Sequence, residues 1–119
     1  MKSMLLIDGS EIIARLFAEF FEKRGWNVAG CGDRASAVER LAGGEHYDAI
    51  LLGDRVPGIC GVELVRLIRS IEHRKMAAVV MVTGRGEVTE EALAAGADEV
   101  LLKPVNPHAL GWVVDKHVA

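Results

Sequence analysis

The segment from Tyr47 to Gly61 reads YDAILLGDRVPGICG, and it decides the fold. Residues 49–52 are continuously apolar, a pattern typical of a short strand that is buried on both faces. The Pro57-Gly58 pair that follows indicates a loop. A fully buried strand that runs into a loop is expected at the centre of a parallel sheet.

Four more short apolar runs lie on either side of this segment and predict further strands. They cover residues 4–7, 27–31, 79–82 and 100–102. Helical spacing of apolar residues predicts helices between and after the strands, at about 10–25, 35–41, 64–71, 89–95 and 107–117. Regular alternation of strand and helix favours an α/β fold, in which helices cover both faces of a parallel sheet.

The first predicted helix has a wide apolar pattern. Six residues recur at helical spacing and predict one broad stripe facing the core: Ile12, Ile13, Leu16, Phe17, Phe20 and Phe21. Ser10 is a suitable N-cap and Gly25 a suitable C-terminal stop for this helix.

Composition narrows the classes of function. The 119 residues predict one domain, 1–119, and half of them are apolar. The net charge is −3 and no basic cluster exceeds Arg74-Lys75, so we expect no nucleic-acid binding by this domain. No apolar run reaches the roughly 18–20 residues of a membrane span. Because the first residues lead directly into a strand and the two cysteines suggest reduced thiols, we expect a cytoplasmic protein without a signal peptide.

The 47–61 segment closely resembles the phosphorylation-site strand and following loop of response-regulator receiver domains. Three other pairs, Asp8-Gly9, Thr83-Gly84 and Lys103-Pro104, fall in order at the expected strand ends, so the resemblance spans essentially the whole chain. It implies a flavodoxin-like, doubly wound sheet of five parallel strands in the order 2-1-3-4-5. In such sheets the functional crevice lies at the carboxyl ends of the strands.

The position that accepts the phosphoryl group in this family is occupied by glycine. The family aspartate lies four residues before the loop proline, which here corresponds to Gly53. Glycine has no side chain that could attack phosphorus or hold a metal. The resemblance therefore implies a degenerate receiver, a signalling module rather than an enzyme, with no catalytic residue.

The acidic pair that helps to hold Mg²⁺ in the family is also incomplete. Asp8 matches the first acid, but Gly9 replaces the second. Magnesium requires about six oxygen ligands, so we expect no cofactor, with Asp8 as a weak candidate ligand. We expect Asp8 to form an ion pair with Lys103 in the space of the metal. The alternative is that Asp8 caps the first helix.

The switch residues of the family are matched in part. Thr83 lies where the family hydroxyl contacts the phosphoryl group, and Lys103 lies where the family lysine contacts its oxygens. The aromatic partner of the hydroxyl is replaced by Val100, so the switch is expected to be incomplete. The resemblance also implies a cis Lys103-Pro104 bond.

Asp54 offers an alternative phosphoryl acceptor next to the vacant position. Successive strand residues point to opposite sides, so Asp54 should face away from Asp8. Gly53, however, permits unusual backbone angles that would swing Asp54 inward. Under this alternative the chain is a phosphorylatable receiver that uses Mg²⁺, with Asp8, Thr83 and Lys103 assisting.

The favoured function is therefore a protein-interaction module of a two-component or phosphorelay system. The family often uses helix 4, strand 5 and helix 5 for its contacts. Here that surface should include Val100, Leu102 and Trp112. The expected partner is a signalling protein, a linked effector domain outside these residues, or a second copy of the chain. A small ligand in the space left by Gly9 and Gly53 is a further hypothesis, but no phosphate cradle supports it.

Overall fold

Five parallel strands form the centre of the computed structural model, which describes residues 1–53 and 55–118. The strands are β1 (Ser3–Ile7), β2 (Asn27–Cys31), β3 (Ala49–Gly53), β4 (Ala78–Thr83) and β5 (Glu99–Leu102). They are arranged in the order β2-β1-β3-β4-β5. The predicted fold class and strand order are confirmed.

Five α-helices connect and follow the strands within the described residues. They are α1 (Glu11–Lys23), α2 (Arg34–Ala42), α3 (Gly61–Ser70), α4 (Thr89–Ala95) and α5 (Pro107–His117). Single 3-10 turns lie at Glu72–Arg74 and Gly86–Val88. None of the helices formed by the described residues has the length and apolarity that a membrane span requires.

The sheet separates two apolar cores, and β3 contributes to both. Ile50 and Leu52 pack in the core that also contains residues of α2, α3 and α4. Ala49 and Leu51 pack in the core that contains residues of α1 and α5. Because side chains alternate between the two faces of a strand, a central strand with helices on both sides must be apolar at every position. This explains the continuous apolar run of β3.

The broad stripe predicted for α1 was wrong at two positions. Phe17 and Phe21 are buried, but Ile12 is 82% exposed and Leu16 is 50% exposed. Residues in a helix are about 100° apart, so the six predicted positions spread over about 180° of its circumference. One face of a helix that lies on a sheet cannot bury so wide an arc, and Ile12 and Leu16 therefore remain on the solvent side.

The helix starts nearest to the sheet ends are fixed by side-chain caps. Ser10 Oγ accepts a hydrogen bond from the amide of Ile13 at 3.3 Å. Asp33 Oδ1 accepts from the amide of Ser36 at 2.8 Å, at the start of α2. These caps satisfy amides that have no partner inside the helix, and they determine where the loops leave β1 and β2.

Arg74 is almost completely buried, with 1% of its surface exposed. Its guanidinium donates hydrogen bonds to four backbone carbonyls around the end of α2: Arg40, Leu41, Gly43 and Glu45. It also lies 4.7 Å from the ring centroid of Tyr47. Because the last carbonyls of a helix lack partners inside it, Arg74 supplies donors that water cannot supply in the interior.

Candidate functional site

The four sequence motifs meet at the carboxyl ends of the strands. Ile7 pairs with Leu52 in the sheet, so Asp8 and Gly53 lie side by side at the ends of β1 and β3. Thr83 pairs with Leu102, so Lys103 follows β5 next to the end of β4. We call this edge, formed by residues 8–10, 53, 83–84 and 103, the rim.

The carboxylate of Asp8 covers the α-carbon of Gly53. A β-carbon built at position 53 would lie 2.7 Å from Asp8 Oδ2 and 3.0 Å from its Cγ. Both distances are shorter than normal contacts of such an atom. Asp8 is itself buried, with 7% of its surface exposed. The space into which a side chain at position 53 would project is therefore filled by the neighbouring carboxylate.

A backbone amide holds the Asp8 carboxylate in this place. Asp8 Oδ1 accepts a hydrogen bond from the amide of Ser10 at 2.9 Å, at the start of α1. The N-cap of α1 is Ser10 itself, so Asp8 supports the start of the helix through the amide of the cap residue and is not the cap that we considered as the alternative to an ion pair. Among the ion pairs between described residues, none joins Asp8 to Lys103.

Gly9 joins the rim to the loop that follows β3. Its amide donates a hydrogen bond to the carbonyl of Arg55 at 3.0 Å. A β-carbon at position 9 would lie 2.1 Å from that carbonyl oxygen and 2.9 Å from Pro57 Cδ. The absence of a side chain at position 9 therefore allows the loop after β3 to approach the end of β1 closely.

The same loop is held on its other side by α2. The amide of Arg34, the first residue of α2, donates to the carbonyl of Pro57 at 2.9 Å. Within the loop, Val56 and Ile59 form an isolated antiparallel bridge. The loop is thus attached to β1 through Gly9 and to α2 through Arg34, and both attachments use backbone groups.

Thr83 and Lys103 lie at the rim where the resemblance places them. Thr83 is fully buried, and its Oγ1 accepts a hydrogen bond from the amide of Arg85 at 2.9 Å. The amide of Lys103 donates to the carbonyl of Thr83 at 2.8 Å. The expected cis bond between Lys103 and Pro104 is confirmed.

Val100, the predicted switch position, is half-buried on β5. It pairs with Met81 of β4 and packs against the core beneath α2, α3 and α4. An aliphatic side chain in this position fills space between core and solvent. Because valine has no polar side-chain atom, Val100 cannot form a hydrogen bond that changes when the Thr83 hydroxyl moves.

The described residues of the rim offer few side-chain oxygens to a magnesium ion. Among them, no group of three or more histidine, cysteine, aspartate or glutamate side chains is arranged to hold a metal. Gly9 and Gly53 offer no side-chain oxygen, and one Asp8 oxygen is engaged by Ser10. Asp54, the alternative acceptor, lies outside the described residues, so that hypothesis stays a prediction.

The predicted partner surface contains three exposed apolar side chains. Leu93 on α4 is 44% exposed, Leu102 on β5 is 53% exposed and Trp112 on α5 is 65% exposed. The ammonium of Lys116 lies 4.9 Å from the Trp112 ring centroid. Leu110, Val113 and Val114 are buried on α5, and Trp112 lies on the solvent side of this helix. Its role in an interface stays a prediction.

Glu99 joins the start of β5 to the end of α5. Its Oε1 lies 2.8 Å from His117 Nε2 and 3.3 Å from Lys116 Nζ. The hydrogen bond from His117, followed by that from Lys116, holds the pKa of the Glu99 carboxyl below its ordinary value, although partial burial opposes the shift. The lowered pKa means that the charged carboxylate stabilises this junction.

Sequence reasoning missed the contribution of Arg55 to the rim. Arg55 contacts Gly9 through its backbone carbonyl, which every residue possesses. The type of side chain at position 55 therefore does not predict this contact. The nearest signal is the glycine at position 9, because a glycine beside a strand end is typical of a close approach of another backbone.

Comparison with known proteins agrees with this geometry. A family model described as the response regulator receiver domain matches residues 4–115. Protein PetR from Rhodobacter capsulatus is 37% identical over 110 residues, which cover 90% of this chain and 44% of that protein. The chain thus spans less than half the length of this curated relative.

Solved structures give the same result. The chemotaxis response regulator CheY4 of Vibrio cholerae is 26% identical and superposes with a TM-score of 0.91, over 99% of both chains. The response regulator TrrA from Thermotoga maritima, solved in complex with Mg²⁺ and BeF, is 27% identical. It superposes with a TM-score of 0.88, over 99% of this chain and 100% of that chain.

Proposed function

Since the chain belongs to the response regulator receiver domains of two-component systems, we propose that it is a degenerate member that signals through protein contacts, without phosphorylation at position 53. One observation carries this proposal. The Asp8 carboxylate occupies the place where a side chain at position 53 would begin, 2.7 Å from the position of its β-carbon. A nucleophile is missing there, and the space for it is filled.

The charge of the rim supports the same function. Phosphoryl transfer depends on positioning of the acceptor and on neutralisation of charge by a metal ion. Asp8 is the one carboxylate that the described residues contribute to the rim, and Ser10 holds one of its oxygens at 2.9 Å. This hydrogen bond ties the end of β1 to the start of α1 through protein groups alone, which is consistent with an adaptor of fixed shape.

We assign the protein contacts to the surface formed by Val100, Leu102 and Trp112. Exposed aromatic and aliphatic side chains on adjacent elements are the usual centre of a protein interface. Leu102 and Trp112 are both more than half exposed. The partner would be another signalling protein, a linked effector domain or a second copy of this chain.

Phosphorylation separates this proposal from the alternative in which Asp54 accepts the phosphoryl group. The chain would be incubated with acetyl phosphate and Mg²⁺ and its mass measured. We expect no gain in mass. A gain of one phosphate that Asp54→Asn abolishes would refute the proposal and establish Asp54 as the acceptor. A gain that survives Asp54→Asn would refute both assignments.

A further inference from the structure

The arginines of the chain fall into two groups, according to whether the guanidinium has a partner in the chain. Five form ion pairs or donate hydrogen bonds to carbonyls: Arg24, Arg40, Arg69, Arg74 and Arg85. Within the described part of the chain, no hydrogen bond or salt bridge of this kind involves the guanidinium of Arg15 on α1 or of Arg34, Arg55 and Arg66. All four are exposed, and the last three line neighbouring parts of the surface.

The three arginines line two neighbouring grooves that share Ile59. One groove, of about 500 Å³, lies between the start of α2 and the exposed face of α3, and its lining includes Arg34, Arg66 and Leu67. The other, of about 430 Å³, follows the loop after β3 and includes Arg55 and Ile59. We call the two together the α2–α3 groove.

This groove is cationic on a chain whose net charge is −3. Among the described residues, Glu63 is the one acidic member of its lining, so three arginines against one glutamate give these lining residues a charge of +2. The thiol of Cys60 donates to Glu63 Oε1 at 3.0 Å and, as the largest cause, holds the pKa of that carboxyl below its ordinary value. Arg34 and Arg66 lower this pKa further.

The start of α3 adds positive potential at the same place. The side chain of its N-cap residue, Cys60, accepts no hydrogen bond from the backbone amides of the first turn, and its thiol donates to the side chain of Glu63 instead. The amides at the start of a ten-residue helix carry a partial positive charge that favours anions, and the Glu63 carboxylate meets part of this charge through the amide of Cys60. This potential acts beside the three arginines and has the same sign.

We propose that the α2–α3 groove binds an acidic segment of another protein, one in which carboxylates flank an apolar side chain. Arginine is well suited to bind carboxylates through paired hydrogen bonds. Ile59 and Leu67, which are half-buried, provide the apolar contact between the arginines. This proposal goes beyond the function proposed above, because it does not depend on phosphorylation or on the surface around Trp112.

Two other occupants fit the groove less well. A nucleic-acid backbone would meet Glu63 in the middle of the groove, and the net charge of −3 would repel it. A second copy bound by twofold symmetry would place the same patch on both sides. That arrangement would bring the arginines of one copy against the arginines of the other.

The test is a titration of the isotopically labelled chain with a short acetylated peptide that contains four glutamates around two leucines, followed by NMR. We expect saturable shifts of the amides of Ile59, Glu63 and Leu67. A peptide with glutamines in place of the glutamates should produce none. The double variant Arg34→Gln/Arg66→Gln should weaken binding by about fivefold or more, because it removes two charge-assisted contacts.

The matched control is Arg15→Gln/Lys23→Gln, which removes the same charge from the exposed side of α1. It should bind the glutamate peptide as the parent chain does. Absence of saturable shifts, equal binding of the glutamine peptide, or unchanged binding by Arg34→Gln/Arg66→Gln would each overturn the proposal. So would stronger binding of a short single-stranded DNA at the same amides. Self-association abolished by the same double variant would identify the occupant as a second copy instead.

Discussion

The amide of Gly9 and the carbonyl of Arg55 lie 3.0 Å apart in a backbone hydrogen bond, which joins the end of β1 to the loop after β3. A β-carbon at position 9 would lie 2.1 Å from the same carbonyl oxygen. The hydrogen bond therefore depends on the glycine. The loop can form this bond only because position 9 has no side chain.

The first prediction concerns the size of the residue at position 9. Gly9→Ala should lower the free energy of unfolding by about 1–3 kcal/mol, because the neighbouring atoms belong to a backbone that must shift. Urea denaturation measures this loss. Gly44→Ala is the matched control, since a β-carbon there would meet no atom within 4 Å. If the two variants are equally stable, the loop after β3 can move away from position 9 without loss of free energy of unfolding.

The second prediction concerns the number of carboxylates at the rim. Gly53→Asp should give the chain a saturable response to millimolar Mg²⁺, seen in the amide signals of residues 8–10. A second carboxylate next to Asp8 supplies oxygen ligands and a like-charge repulsion that a cation relieves. The parent chain and Gly53→Asn should not respond. A parent chain that saturates as Gly53→Asp does would favour the alternative in which Asp54 and Mg²⁺ act together.

The third prediction concerns the buried arginine. Arg74→Leu should lower the free energy of unfolding by about 2–4 kcal/mol, because four backbone carbonyls around the end of α2 lose the hydrogen bonds that its guanidinium donates. Arg74→Lys should recover only part of this loss, since one ammonium cannot reach all four oxygens. Thermal or urea denaturation is the measurement. Arg66→Lys, at an exposed position on α3, is the control and should leave stability within about 0.5 kcal/mol.

The fourth prediction concerns pH. The pKa of Glu99 is lowered by its contacts with His117 and Lys116 from the ordinary value of 4.5. The stabilisation from the charged carboxylate is therefore fully present above pH 4.5 and is lost as the pH falls through the lower pKa of the folded state. Glu99→Gln should be less stable than the parent chain at neutral pH, and this difference should shrink below pH 4.5.

The control for this pH dependence is Glu90→Gln on the exposed face of α4. Its difference from the parent chain should stay constant over the same pH range. Denaturation curves recorded at neutral and acidic pH give both comparisons. A difference for Glu99→Gln that does not change with pH would mean that its contacts do not favour the charged carboxylate.

The fifth prediction concerns the surface around Trp112. Trp112→Ala should weaken any self-association of the chain measured by sedimentation at high concentration, while the free energy of unfolding changes by less than about 1 kcal/mol. The side chain is 65% exposed, so it contributes more to an interface than to the core. Leu16→Ala, at a half-exposed position of α1, is the control. If the dimer persists in Trp112→Ala, its interface lies on another surface.

The sequence predicted the strands and helices correctly because these elements depend on the periodicity of apolar residues. The five apolar runs became the five strands, and the continuous run at residues 49–52 became the central strand. The error in α1 has the same origin. Periodicity shows which residues recur on a helix, but Ile12 lies on the solvent side because the sheet covers only part of the circumference.

The details of the site were less accessible to sequence reasoning, for two physical reasons. Gly9 contacts the backbone of Arg55, and a backbone contact does not require any particular side chain at position 55. The choice between an ion pair and a cap for Asp8 depends on a few ångströms of loop position, which composition and spacing do not encode. Arg74 was missed because a charged residue is buried only when tertiary contacts supply partners.

The closeness of Gly9 to Arg55 has an evolutionary consequence. A side chain at position 53 would meet the carboxylate of Asp8, which can turn aside if it gives up its hydrogen bond from the amide of Ser10. Position 9 has no such freedom, since a main-chain oxygen stands in the way. A lineage that acquired an acid at position 9 would therefore also need a change in the backbone of the loop, so a substitution at position 9 alone would not place a second carboxylate at the rim.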